Sequence, residues 1–226
     1  MGSSFKNSFL VLVDGIRLSR TSLVNRIFHP KKYNGTTEQI CRNIISDCFN
    51  KKRKYFQVSP NNFKQFWSRD FGMCCESLLA LGYKKEVRQT LIFAMETYQK
   101  EGNITTHITP RGNAVNFPSN TPESAAYMLH SLILLDDKDL INKYKFLFLS
   151  IAERTYNEDV DKNTGLLRKD KNFSSMKDYS LRESDCYNNC LLAMFASDLK
   201  KIGVESSLAK FDYKKQIETN FLRRDK

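Results

Sequence analysis

Phe71-Gly72-Met73-Cys74-Cys75-Glu76-Ser77-Leu78-Leu79-Ala80-Leu81 carries apolar side chains almost throughout, with only Glu76 and Ser77 polar. A helix over 71–81 that is apolar nearly all round belongs inside a protein. Gly82-Tyr83 ends it. A second helical pattern begins near Lys84, places Val87, Leu91, Ala94, Met95 and Tyr98 on one face, and stops at Gly102. Two helices joined by so short a turn are antiparallel neighbours. The unit is an α-hairpin with one buried arm.

The same unit recurs along the chain. Thr121-Pro122-Glu123 reads as a helix start, with Thr as cap, Pro at the first position and an acid in the first turn. That helix carries Ala125, Met128, Leu129, Leu132 and Ile133, and Asp136-Asp137 separates it from a helix over 138–156. A further pair spans 183–201 and 207–221 around Gly203. Thr36 or Thr37 caps another helix expected to run to Arg53. The fold class is therefore all-α, an α-hairpin array of seven helices. The longer segments 103–120 and 157–182 gather at one end of such an array, the natural place for a site. Residues 1–35 read as a short extended basic segment, with Phe9 to Val13 as a strand and Asp14-Gly15 as a turn, ahead of a helical domain over 36–226.

Composition narrows the function. A chain of 226 residues with 41% hydrophobic residues, 9 Gly and 5 Pro is neither collagen-like nor disordered. Its longest early apolar run is far shorter than the ~20 residues of a membrane span, so no membrane partner is expected. The net charge is +11. Residues 1–60 hold eleven Lys and Arg against Asp14, Glu38 and Asp47, whereas residues 61–226 hold 25 basic and 22 acidic residues. The excess is N-terminal, which argues against a nucleic-acid partner. Its densest run, Lys51-Lys52-Arg53-Lys54, would sit at a helix C-terminus, where the dipole favours cations. None of the six cysteines forms a Cys-x-x-Cys pair and only three His occur, so no metal site or cofactor is expected. Buried free thiols in a reducing, cytoplasmic setting fit Cys41 and Cys48, a heptad apart, and Cys186 and Cys190, four apart.

Chemistry concentrates in Phe66-Trp67-Ser68-Arg69-Asp70, just before the buried helix. Carboxylate and guanidinium form charge-assisted hydrogen bonds to vicinal hydroxyls, and an indole packs on the apolar face of a sugar ring. Two local roles compete: Asp70 capping the helix, and Arg69 pairing with a neighbouring acid.

This segment resembles the aromatic-Trp-x-Arg-Asp segment of glucoamylases and related six-hairpin glycosidases. The resemblance covers residues 36–226 and implies an (α/α)6 toroid with a sugar pocket formed by long loops at one end. It implies that Trp67, Arg69 and Asp70 hold the sugar at the non-reducing end. Gly102-Asn103-Ile104, with Pro110 and Gly112, is similar to the family's loop after the first inner hairpin. Phe117 to Pro122 is similar to a segment that often carries an Asp contact; Asn120 stands there instead and is the substrate-binding residue the resemblance implies at that place. Ser174-Ser175-Met176-Lys177-Asp178, followed by Cys186 to Leu192, resembles the loop and helix that carry the general acid, with Met176 where relatives usually have Trp.

Glycoside hydrolysis by inversion needs one carboxyl group to protonate the leaving oxygen and a second to activate water. Asp178 is the expected acid and Glu183 the second choice, although an acid in a helix's first turn is also ordinary dipole chemistry. In the resembled family the base lies late in a ring of twelve helices. The chain therefore resembles the N-terminal part of such an enzyme, with a C-terminal companion segment or chain expected to complete the toroid. Should the chain act alone, Glu183 and Glu123 are the next carboxylates to test. The expected function is that of an inverting glycoside hydrolase acting on a terminal, α-glucosidic sugar of an oligosaccharide or glycoside. The alternative is a non-catalytic helical module that binds sugar or a partner protein.

Overall fold

A computed structural model describes residues 2–28, 32–117, 122–174 and 181–222. Among them lie eight α-helices and several two-residue strands, so the class is all-α as expected.

The N-terminus departs from expectation. Gly2–Phe28 is one helix, α1, running through Phe9 to Val13 and Gly15. A short apolar run does not distinguish strand from helix. A lone strand here would leave its backbone groups unpaired, whereas a helix satisfies its own. α2 (Thr37–Cys48) starts on Thr36 with a reciprocal capping box to Gln39. It ends five residues earlier than expected. Phe49–Asn50 (β1) pairs with Tyr55–Phe56 (β2), and Lys51 to Lys54 form the turn between them. The basic run is thus an exposed hairpin tip, and the helix-dipole account of it fails. Burial of Tyr55 and Phe56 decides the matter. The Tyr55 ring stacks on Phe93 with centroids 4.4 Å apart, and Phe56 N–H donates to Thr90 Oγ1 at 3.0 Å.

The hairpins follow in the expected order, but α3 begins three residues before the expected 71, so Arg69 and Asp70 lie in its first turn and not ahead of it. α3 (Ser68–Ala80) and α4 (Lys84–Glu101) are joined through Gly82 at φ +90°. α4 stops on Gly102 in the left-handed region. α5 (Glu123–Leu135) and α6 (Lys138–Glu158) turn at Asp136 and at the cap Asp137, whose carboxylate accepts from Leu140 N–H. The expected cap Thr121 lies outside the described residues. α7 (Cys186–Lys201) begins on the cap Asp185, not at Glu183. Glu183 is exposed and precedes the helix, so it is not the first-turn acid expected. The last predicted helix divides into a 3-10 turn, Ser207–Lys210, and α8 (Tyr213–Phe221), which starts on the cap Asp212.

α3, α5 and α7 lie side by side in one row, and α4 and α6 back them. The row runs parallel. First turns meet where Arg69 faces Glu123 and Glu123 meets Tyr187, and later turns meet where His130 reaches Asp198. Met95, Tyr98, Met128, Leu129, Leu132, Tyr144, Phe148 and Phe195 fill the space between the rows. α5 sits centrally and is buried on most of its circumference. Free thiols are less buried than expected: Cys75 is buried, while Cys41, Cys74, Cys186 and Cys190 are exposed. Burial pushes the Cys75 thiol up to about 11.

The close approach of α3 to α5 depends on Gly72. A Cβ there would lie 2.5 Å from Tyr127 Cβ and Cδ1. Gly72→Ala should therefore cost about 1–3 kcal/mol, the scale of overpacking, measured by urea denaturation. An unchanged midpoint would show that the two helices part freely.

Candidate functional site

The segment before α3 is held by a small ladder. Phe66–Trp67 (β3) pairs with His107–Ile108 (β4), which pairs with Ala114–Val115 (β5). Aromatic and β-branched residues suit such pairing. Ser68 then locks the start of α3. Its hydroxyl meets Tyr98 Oη at 2.7 Å and the Thr105 carbonyl at 2.9 Å, and its N–H donates to the Thr106 carbonyl. Burial raises the Tyr98 phenol far above its ordinary value, so it remains a neutral hydrogen-bonding group.

Trp67 stacks on His107, with ring centroids 4.6 Å apart and planes 14° from parallel, and meets Phe117 edge-on. One indole face is therefore occupied by protein. The Trp67 indole nitrogen is buried without a hydrogen-bond partner among the described residues.

Arg69 and Asp70 diverge, as successive helix residues must. Arg69 Nη1 lies 3.5 Å from Glu123 Oε1, and both side chains are largely buried. Arg69 thus pairs with an acid, though not with a local one: Glu123 stands 54 residues away on α5. Tyr187 of α7 donates to Glu123 Oε2 at 2.6 Å, and the Tyr127 and Tyr187 hydroxyls lie 3.3 Å apart. Burial first, then the Glu123 contact, raises the Tyr187 phenol strongly, which keeps its proton in place. Both Glu123 oxygens face donors. That arrangement suits an anchor more than a proton shuttle.

Asp70 occupies the third position of α3 and does not cap it, since the N-cap is Trp67. With Trp67 it lines a groove of about 210 Å³ whose other walls include Ile44, Cys48, Phe56 and Cys74. Burial, with the nearby Asp70 charge, raises the Cys74 thiol. The groove places one carboxylate on a mainly apolar wall.

The structure brings Trp67 and Asp70 together in one groove, whereas Arg69 turns away to Glu123. Glu183 is exposed, and no described contact links it to this cluster. Asp178 and Asn120 lie outside the described residues. The sequence marks Glu123 as a carboxylate to test but not its pairing with Arg69, and it assigns Tyr127 and Tyr187 no individual role. Only the first-turn position of Glu123 is readable in the sequence, because the helices expected from 71 and 183 begin instead at Ser68 and Cys186, which places Arg69 and Tyr187 in first turns. Among the described residues no group of three or more His, Cys, Asp or Glu could hold a metal ion. Farther along the row, buried Asp198 accepts from His130 Nδ1 at 2.9 Å and from Lys201 Nζ at 2.7 Å, clamping α7 to α5.

Comparison with known proteins gives no match to a family model, to a curated protein or to a solved structure.

Proposed function

We propose that this chain is the N-terminal part of a glucoamylase-like glycoside hydrolase, half of an (α/α)6 toroid, acting on a terminal α-glucosidic sugar. The observation that carries the reading is the convergence of Arg69, Glu123 and Tyr187 at one end of a two-row hairpin array, with Trp67 and Asp70 lining a separate groove at the start of α3. Three parallel helices contribute their first turns, so their dipoles and side chains present donors and acceptors to one region. In this reading α3, α5 and α7 are inner helices, and α4, α6 and α8 are outer ones. Glu123 holds Arg69 in position, Asp70 binds sugar hydroxyls, and Asp178 is the general acid. The base and the remaining hairpins come from a companion segment or chain.

Calorimetry with maltose as the terminal α-glucoside tests the sugar site. Asp70→Asn should weaken binding by about 1.5–3 kcal/mol, the scale of a hydrogen bond to a charged group. Equal affinity in a folded variant, or no affinity in either protein, would remove Asp70 from sugar recognition.

The second reading, a non-catalytic sugar-binding module, is favoured by one observation: Glu123 is already engaged, Oε2 by the Tyr187 hydroxyl and Oε1 by the Arg69 ion pair. It predicts sugar binding sensitive to Asp70 with no hydrolysis under any condition.

A further inference from the structure

α1 presents a strip that the hairpin array does not cover. Phe9, Leu12, Ile16 and Leu23 are 58%, 61%, 63% and 61% exposed. Their spacing of three, four and seven places them within one narrow arc of the helix. Single exposed apolar residues are common, but four large ones aligned on one helix face mark an interaction surface.

The surroundings of the strip are basic. A cleft of about 380 Å³ between α1 and the loop 109–113 is lined by Phe9, Ile16, Arg17, Arg20, Pro110 and Arg111, among others. Arg20 and Arg111 are exposed. The hairpin tip of Lys51, Lys52, Arg53 and Lys54, all exposed, adjoins the same loop, with Arg53 Nη1 3.5 Å from the Cβ position of Gly112. Residues 2–28 carry four Lys and Arg against the single acid Asp14. Arg17, Arg20, Arg111 and the hairpin tip therefore gather around the cleft that Phe9 and Ile16 of the strip line.

We propose that this surface seats on an anionic lipid bilayer, with α1 lying in the interface. Phe9, Leu12, Ile16 and Leu23 enter the boundary between headgroups and acyl chains, while Arg20, Arg111 and the hairpin tip face the acidic headgroups. No described helix is long and apolar enough to cross a membrane, so α1 lies on the bilayer and does not span it. Charge selects this occupant over a second copy of the chain, because two such basic helices repel each other. The apolar strip selects it over a nucleic acid, which offers phosphates but no apolar layer. The inference goes beyond glycoside hydrolysis and stands on different residues.

Cosedimentation of the full chain with vesicles tests it. One set is phosphatidylcholine alone, and the other an equal-parts mixture with phosphatidylserine. Binding is expected only to the mixed vesicles, and it should fall as salt rises. Leu12→Ser with Ile16→Ser should weaken it about tenfold or more. The exposed variants Lys51→Ala, Lys52→Ala and Lys54→Ala should each weaken it about fivefold. They leave α1 and the core untouched, so they decide the matter even if the α1 variant misfolds. Three results would overturn the proposal: no binding to mixed vesicles, binding indifferent to both sets of substitutions, or self-association in sedimentation that Leu12→Ser with Ile16→Ser abolishes. Salt-sensitive binding to RNA without binding to vesicles would assign the surface to a polyanion instead.

Discussion

Replacing Glu123 by alanine should lower the unfolding free energy by about 3–5 kcal/mol, the cost of breaking a buried ion pair from one side. Glu123 is 3% exposed, and its oxygens meet Arg69 Nη1 at 3.5 Å and the Tyr187 hydroxyl at 2.6 Å. Alanine would leave the Arg69 guanidinium, 13% exposed, largely out of water with its charge less compensated. It would also leave the Tyr187 hydroxyl without this acceptor. Because the three residues stand on α3, α5 and α7, the loss strikes the junction of the whole row. Glu123→Gln should cost clearly less, since the amide oxygen can still accept from Tyr187. Tyr187→Phe removes one hydrogen bond to a charged group and should cost about 1.5–3 kcal/mol. Urea denaturation of the four proteins gives the comparison, and a double-mutant cycle on Arg69 and Glu123 isolates their coupling. If alanine and glutamine proved equally mild, Glu123 would be an ordinary first-turn acid.

The other large effect concerns turnover. In a preparation that hydrolyses an unactivated α-glucoside, Asp178→Asn should slow kcat by ~10²–10⁴-fold, the usual contribution of general acid catalysis. An aryl α-glucoside with a good leaving group should be slowed much less, because its oxygen needs little protonation. The pair of substrates distinguishes a proton donor from a residue that merely supports the loop. Equal losses on both would deny Asp178 the acid role. Strong hydrolysis by residues 1–226 alone would contradict the need for a companion base and direct attention to Glu183 and Glu123. Of these two, Glu123 stands within the site cluster, whereas Glu183 is exposed ahead of α7.

Much of the helical framework was legible in the residues themselves, because its signals are local. Gly82 and Gly102 adopt positive φ where the helices were expected to stop, and Thr36 makes the capping bonds its spacing to Gln39 allows. The apolar run beginning at Phe71 and the faces of α4 and α6 depend on spacing along one helix, which neighbours three and four residues apart determine. Tertiary structure decided the rest. Phe9 to Val13 is too short to choose between strand and helix by pattern, and it falls within a 27-residue helix that lies beside β5. Lys51 to Lys54 left the helix because Tyr55 and Phe56, farther along the chain, are buried against α4. The exposure of Cys74, Cys186 and Cys190 followed from which helix faces found neighbours, which no i to i+4 spacing records. Glu123 shows the division most clearly. Its place in a helix's first turn was readable from Pro122 and its own charge, but its partners stand 54 residues before it and 64 after. An ion pair across helices exists only once the helices pack, since its energy depends on separation in space and on burial, not on separation in sequence.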